Sequence, residues 1–325
     1  MDSAKTEQKK AAHEEHLPRE LIEEILSRVS PKSLVRLRVV CKRWNSIMDD
    51  KRFINNHKET FRFIVRTESN IYSVTIDPKI VVRELTLDIP GLEFEKPKDV
   101  IDSDEFLICA MDEGAAVWNP WLKQSTWINK VHGFYFQGIC YNGSNRNDAS
   151  LYKTVWHNNT KWKFHNSASK TLEDDKFNYE IGVSLNGSLF WIAYLEKTDP
   201  LYCLVKVNFS KERSSRFCTL PCRMSHPRDA FVLRVFKGDR FSVLKQCHAE
   251  PYYYRQPSYF IDDKRLVVCS CDENGQAWIY VLGENKLISK VQLDSVVGFW
   301  PSHCTYFPSL VPVPRDQKNE AELQV

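Results

Sequence analysis

The chain has 325 residues, 42% of them hydrophobic and 12% aromatic, which supports a substantial core and excludes global disorder. Its 45 basic and 42 acidic residues leave a formal charge of +3, so electrostatics give no case for nucleic acid or an anionic membrane as partner. No apolar run approaches the ~20 residues of a membrane span. The polar stretch 1–15 lacks the apolar region of a secretory signal, and ten cysteines include no Cys-x-x-Cys pair. These features predict reduced thiols in a cytoplasmic and/or nuclear protein.

From His16 the chain reads as short amphipathic helices. Pro18 suits a first helical turn, where a missing N–H costs nothing. Leu21, Ile22, Ile25, Leu26 and Val29 recur at helical spacing, with Glu20, Glu23 and Glu24 on the other side. Ser30-Pro31 starts the next helix, with Ser30 as N-cap and Pro31 just inside. Leu34, Leu37, Cys41, Trp44 and Asn45 share one stripe of that second helix, while Val35 and Val39 form another. Apolar residues therefore occupy more than one face. A unit of about 45 residues rarely supplies its own core, so the surplus points to a partner-binding module. The plainer alternative is a three-helix cap on a larger domain.

These residues resemble the F-box. The resemblance rests on Leu17-Pro18, Ile25-Leu26, Ser30-Pro31-Lys32-Ser33-Leu34, Arg36, Arg38, Val40-Cys41-Lys42-Arg43-Trp44, and Phe53 ahead of His57. It implies docking onto the Skp-type adaptor of a cullin–RING ubiquitin ligase. The adaptor-binding residues it implies are Leu17, Pro18, Ile22, Ile25, Pro31, Leu34, Leu37, Val40, Cys41 and Trp44. Lys32, Arg36, Arg38, Lys42, Arg43, Lys51 and Arg52 read as a solvated basic face that an acidic adaptor surface would complement. Nucleic acid fits that face poorly, because no base-stacking aromatics are interleaved there.

The pattern changes near Thr60. Phe61–Val65 and Ile71–Ile76 look like strands, and short strand candidates separated by turns continue to Leu310. A faint repeat places Asp104, Asn186 and Asp263 at similar turn–strand junctions, about 80 residues apart, or twice the ~40–50 residues of a propeller blade. Trp118, Trp191 and Trp278 follow these junctions and are expected at comparable buried positions. The predicted fold class is an α+β multidomain chain: a small N-terminal three-helix F-box, then an all-β, propeller-like domain of about six blades. A large β-sandwich is the competing architecture.

The β region resembles the F-box-associated domain of plant F-box proteins. The matching residues include Val117-Trp118-Asn119-Pro120-Trp121, Gly138-Ile139-Cys140-Tyr141, Gly182–Gly187 before Phe190-Trp191, and Tyr306–Pro312. One departure stands out. The family usually carries a longer stretch, with a Trp-containing strand, where this chain has only the short Gln246–Pro257 segment. That leaves room for one incomplete blade. The expected boundaries are a disordered tail over 1–15, the F-box over 16–58, the β-domain over 60–312 and a flexible tail over 313–325.

Catalytic signatures are absent: there is no G-x-G-x-x-G, Walker loop, G-x-S-x-G elbow or H-E-x-x-H. Cys218, Cys222 and His226 fall short of the four ligands of structural zinc. Cys269 and Cys271, on one expected strand, are read as pointing to opposite faces and so as unable to share a metal. Neither an enzyme nor a cofactor is implied. Tyr252, Tyr253, Tyr254 and Arg255, bracketed by Pro251 and Pro257, are the candidate target-binding residues. The same tyrosines could instead plug the shortened segment. The chain therefore reads as a substrate receptor that holds a target near a charged ubiquitin-conjugating enzyme, raising effective concentration. The alternatives are an adaptor-bound scaffold without target delivery and a ligand- or glycan-binding propeller.

Overall fold

A computed structural model of the chain describes residues 17–61, 63–76, 79–89, 96–103, 105–141, 152–158, 161–165, 172–173, 178–179, 183–185, 188–195, 199–208, 213–223, 230–236, 240–246, 258–260, 265–283, 286–295 and 301–314. The chain divides into two compact units, Met1–Lys58 and Glu59–Val325.

Among its described residues the first unit holds four short helices: α1 (Arg19–Leu26), α2 (Pro31–Leu37), α3 (Lys42–Met48) and α4 (Lys51–Asn56). The three-helix expectation holds in outline, but the single second helix read from the Leu34–Trp44 stripe is divided in two. Arg38 to Val40 form a turn, and Cys41 is extended at φ −159°, ψ 158°. Two β-branched valines in a row weaken the helix there. Cys41 then restarts it as an N-cap, its Sγ accepting the Trp44 N–H at 3.4 Å. Pro18 lies one residue outside α1, and its carbonyl accepts the Ile22 N–H at 3.2 Å. Ser30 is the N-cap of α2 by backbone alone, because its hydroxyl bonds the Ser33 hydroxyl instead.

The described residues of the second unit are all β. In chain order its strands form groups. The first is β1 (Phe63–Arg66), β2 (Ile71–Thr75) and β3 (Val81–Leu85). The second is β4 (Asp99–Ser103), β5 (Phe106–Ala110), β6 (Gly114–Asn119) and β7 (Gln124–Asn129). The third is β8 (Tyr135–Tyr141), β9 (Tyr152–Asn158), β10 (Lys161–His165) and β11 (Leu172–Glu173). The fourth is β12 (Asn178–Tyr179), β13 (Val183–Leu185), β14 (Ser188–Leu195), β15 (Asp199–Asn208) and β16 (Arg213–Arg223). Next come β17 (Ala230–Phe236) and β18 (Arg240–Gln246), then β19 (Ser258–Phe260), β20 (Leu266–Cys271), β21 (Gln276–Leu282) and β22 (Leu287–Ser295). Neighbours within each group pair antiparallel, except that β12 pairs with β14 and not with β13. The second and fourth groups touch through one parallel pair, Ser103 with Ser184. The last strand, β23 (Ser302–Thr305), returns to pair with β1, setting Thr305 opposite Phe63.

Groups pack face to face. Phe63, Val65, Val74 and Ile76 of the first group share a core with Val267, Cys269, Ile279 and Val281 of the last. Phe106, Ile108 and Val117 of the second group meet Phe136, Ile139 and Trp156 of the third. Val313, at the start of the expected flexible tail, is buried in that same core, with its N–H on Gln124 Oε1. The polar tie between the first and last groups is Asp294, whose Oδ2 accepts from Tyr72 (2.6 Å), Asn70 (2.8 Å) and Thr67 (3.3 Å).

Trp118 and Trp191 are fully buried as expected, but Trp278 is not. Strand β6 is buried on both faces, so parity is irrelevant for Trp118. Strand β21 alternates, with Ala277, Ile279 and Val281 inward, and Trp278 falls on the opposite face. There its indole N–H donates to Asp272, and the Lys290 ammonium lies 5.1 Å from the ring centroid.

Candidate functional site

The helical unit leaves Leu17, Leu21, Ile25, Val39 and Val40 exposed. Its interior consists of Ile22, Leu26, Pro31, Leu34, Ile47, Met48 and Phe53. Helices α1 and α4 run side by side in the same direction. Arg19 at the start of α1 reaches Asp50, the N-cap of α4, at 2.7 Å, and His57 after α4 bonds the Val29 carbonyl at 2.9 Å. The Arg52 N–H donated to Asp50 holds that carboxyl below the usual aspartate range, with Arg19 acting in the same direction. Arg38 clasps α3, its guanidinium donating to Asn45 Oδ1 at 3.0 Å and Asp49 Oδ1 at 2.6 Å.

This arrangement sorts the ten residues expected at an adaptor. Leu17, Pro18, Ile25, Val40 and Cys41 are exposed, and Leu37 and Trp44 are half-buried. Ile22, Pro31 and Leu34 are buried, so they shape the surface from beneath and do not present themselves to a partner. Two exposed apolar residues belong with the first set although the sequence placed them only on helix stripes and not at the adaptor. Leu21, 51% exposed, stands one turn before Ile25 on α1, and Val39, 89% exposed, precedes Val40 on the turn. The unit thus offers an apolar stripe of Leu17, Leu21 and Ile25 and an apolar knuckle of Val39, Val40 and Cys41. The knuckle borders a shallow groove lined by Cys41, Lys42, Asn45 and Ser46.

The basic residues also divide. Arg38 is structural, and Arg52 approaches Glu23 at 3.8 Å. Lys32, Arg36, Lys42 and Arg43 are exposed and enter no ion pair among the described residues; the first two lie on α2, and the other two open α3 directly after the knuckle. Such a surface suits a partner that carries both apolar and acidic side chains. It has no nucleophile–base pair, and no group of three metal-ligating side chains occurs among the described residues. Cys269 and Cys271 do not face opposite ways as expected: two residues apart on β20, they line the same face, opposite Ile279 and Ala277 of β21, and burial pushes the Cys269 thiol up to about 12. Tyr252, Tyr253, Tyr254 and Arg255 lie outside the described residues, as does the 1–15 tail.

The sequence matches known families along most of its length. The F-box domain model matches residues 15–56, and the F-box associated beta propeller domain model matches residues 62–253 and 249–313. The chain is 50% identical to an F-box/kelch-repeat protein of Arabidopsis thaliana, over 95% of this chain and 96% of that one. It is 47% identical to an F-box protein of the same plant, over 97% and 100% of the two chains. It is 35% identical to the Arabidopsis thaliana protein SUPPRESSOR OF NIM1 1, over 92% and 98%.

Proposed function

Because the chain belongs to the F-box proteins that carry an F-box-associated β-propeller domain, we propose that it is a substrate receptor of a Skp–cullin–F-box ubiquitin ligase. The helical unit docks on the Skp-type adaptor and the β unit holds the target. The role is geometric: the receptor raises the effective concentration of target lysines near the charged conjugating enzyme and performs no covalent step itself. A receptor of this kind is expected to work in the cytoplasm and/or nucleus.

The observation that carries the reading is the exposed Val39-Val40-Cys41 knuckle inside the stretch that matches the F-box model. A solvent-facing pair of valines on a turn stabilises nothing in the free chain. Burying each against a partner contributes up to about 1.5–3 kcal/mol. Leu21 and Ile25 offer the same on α1. Target contact is assigned to the β unit, with Tyr252, Tyr253, Tyr254 and Arg255 as the sequence-based candidates.

Pull-down of a purified Skp-type adaptor by the full chain tests the docking half. Val39→Asp with Val40→Asp, and separately Leu21→Asp with Ile25→Asp, should abolish capture with an unchanged melting temperature. Undiminished capture by both double variants would refute this assignment of the surface. Proximity labelling with the proteasome blocked tests the target half. Labelled proteins whose turnover depends on the knuckle are the expected result. Capture of the adaptor with no such protein would reduce the role to a scaffold.

A further inference from the structure

Strand β16 ends its sheet. It pairs with β15 on one side and with no described strand on the other. At 11 residues it is the longest described strand, and Ser215, Arg216, Phe217, Cys218 and Thr219 are all exposed. Proteins normally keep such edges short or covered, because unpaired backbone N–H and C=O groups template another strand. The pairing with β15 shifts between Leu204–Cys218 and Val205–Arg216, which makes Phe217 the extra residue of a bulge. The bulge leaves the Phe217 ring 55% exposed, resting edge-on against Phe190 at 5.3 Å. Lys206, paired with Ser215 on the adjacent strand, lies 5.6 Å from the Phe190 centroid. Strand β16 contains Arg213, Arg216 and Arg223 and no carboxylate.

We propose that this edge binds an extended acidic segment of a partner protein, laid antiparallel along β16 with an apolar side chain seated on Phe217. The charge decides the occupant. A second copy of the chain pairing edge to edge would set arginine-bearing strands against each other, and like charges across a ladder are destabilising. An acidic strand meets Arg216 of the edge strand itself instead. A nucleic acid strand fits less well, because sequence-tolerant binding uses successive aromatic platforms and this edge exposes one. The bulge fixes register: the added strand pairs on either side of it, and the exposed Phe217 ring, lying back on Phe190, marks where the apolar side chain must fall. The mode is strand addition, in which backbone bonds supply affinity and alternate side chains supply specificity.

The full chain is titrated with a fluorescein-labelled octapeptide alternating glutamate and valine, read by anisotropy. Three further probes are the same peptide with lysine for glutamate, the same peptide with alternate amides methylated, and a ten-nucleotide oligothymidine. The acidic peptide should bind with affinity that falls as salt rises. The lysine and methylated peptides should bind at least about tenfold more weakly. Arg216→Glu and Phe217→Ser should each weaken the acidic peptide by about tenfold, with melting unchanged. Slowed amide exchange at 215–219 on peptide addition should mark the site. No binding, equal binding of the methylated peptide, tighter binding of oligothymidine, or indifference to both substitutions would each overturn the proposal. Adaptor capture is read in a separate assay on the other unit, so failure of one result leaves the other standing.

Discussion

Asn119 is fully buried, and every hydrogen-bonding position of its amide is filled. Its Nδ2 donates to the carbonyls of Ser309 (3.0 Å) and Val311 (2.9 Å), and its Oδ1 accepts from the Tyr306 hydroxyl (3.0 Å) and the Leu122 N–H (3.1 Å). Burial pushes the Tyr306 phenol up, so it stays a neutral donor. Asn119→Ala would strand two carbonyls, an amide and a hydroxyl, at a cost of about 3–5 kcal/mol. Thermal melts should show this as a drop of roughly 6–20 °C. Tyr306→Phe removes one bond and should cost about 1 kcal/mol. Asp272 gives a pH signature at the same scale. Its carboxyl accepts the Trp278 indole N–H and the backbone N–H groups of Gln276 and Asn274, which lower it below the ordinary aspartate value of 3.8. A depressed folded value means that its contribution is complete above that ordinary value and is lost as pH falls through the folded one. Trp278 fluorescence should therefore change at acid pH before global unfolding, and Asp272→Asn should remove that step.

At the scale of elements, Asp50 joins two helices, as N-cap of α4 and as partner of Arg19 on α1. Asp50→Ala should destabilise the helical unit by about 1 kcal/mol, measured by denaturant titration of the unit's helical signal. The sequence made these helices readable wherever caps and periodicity agreed, as at Ser30-Pro31 and Leu21–Leu26. It hid the turn at Val39-Val40, because Leu34, Leu37, Cys41 and Trp44 keep helical spacing across a break that two β-branched residues and an extended cysteine create. Val39 was consequently read as a helix stripe and not as the tip of a knuckle. The apolar strands β5, β6, β14, β20 and β21 were legible from composition. Strand β16, Arg-Ser-Ser-Arg-Phe-Cys-Thr-Leu-Pro-Cys-Arg, was not: it is polar and contains a proline, and pairing with β15 makes it a strand. The missing regularity of Trp278 has the same origin, since a turn–strand repeat does not specify which face a residue takes when one sheet is covered on both sides and another on one.

For the molecule as a whole, the β unit is fastened at its ends. Strand β23 pairs with β1, Asp294 of β22 ties to Tyr72, and Asn119 holds the segment from Tyr306 to Val311. Ending the chain before Ser302 should remove all of the β23 pairing and the Asn119 anchor together, so the truncated protein should lose its cooperative melt instead of shifting it by a few degrees. The same fastening constrains birth on the ribosome. Strand β1 is made among the first residues of the β unit, yet its partner is made nearly last. At ~5–20 residues per second, the edge of β1 waits roughly ten to fifty seconds for the strand that covers it. Throughout that interval the nascent chain carries an open, apolar strand edge, the hazard that chaperones shield. The residues that close the fold are thus also the ones that set how long the growing chain must be protected, and a premature stop late in the message leaves a product that can never leave that exposed state.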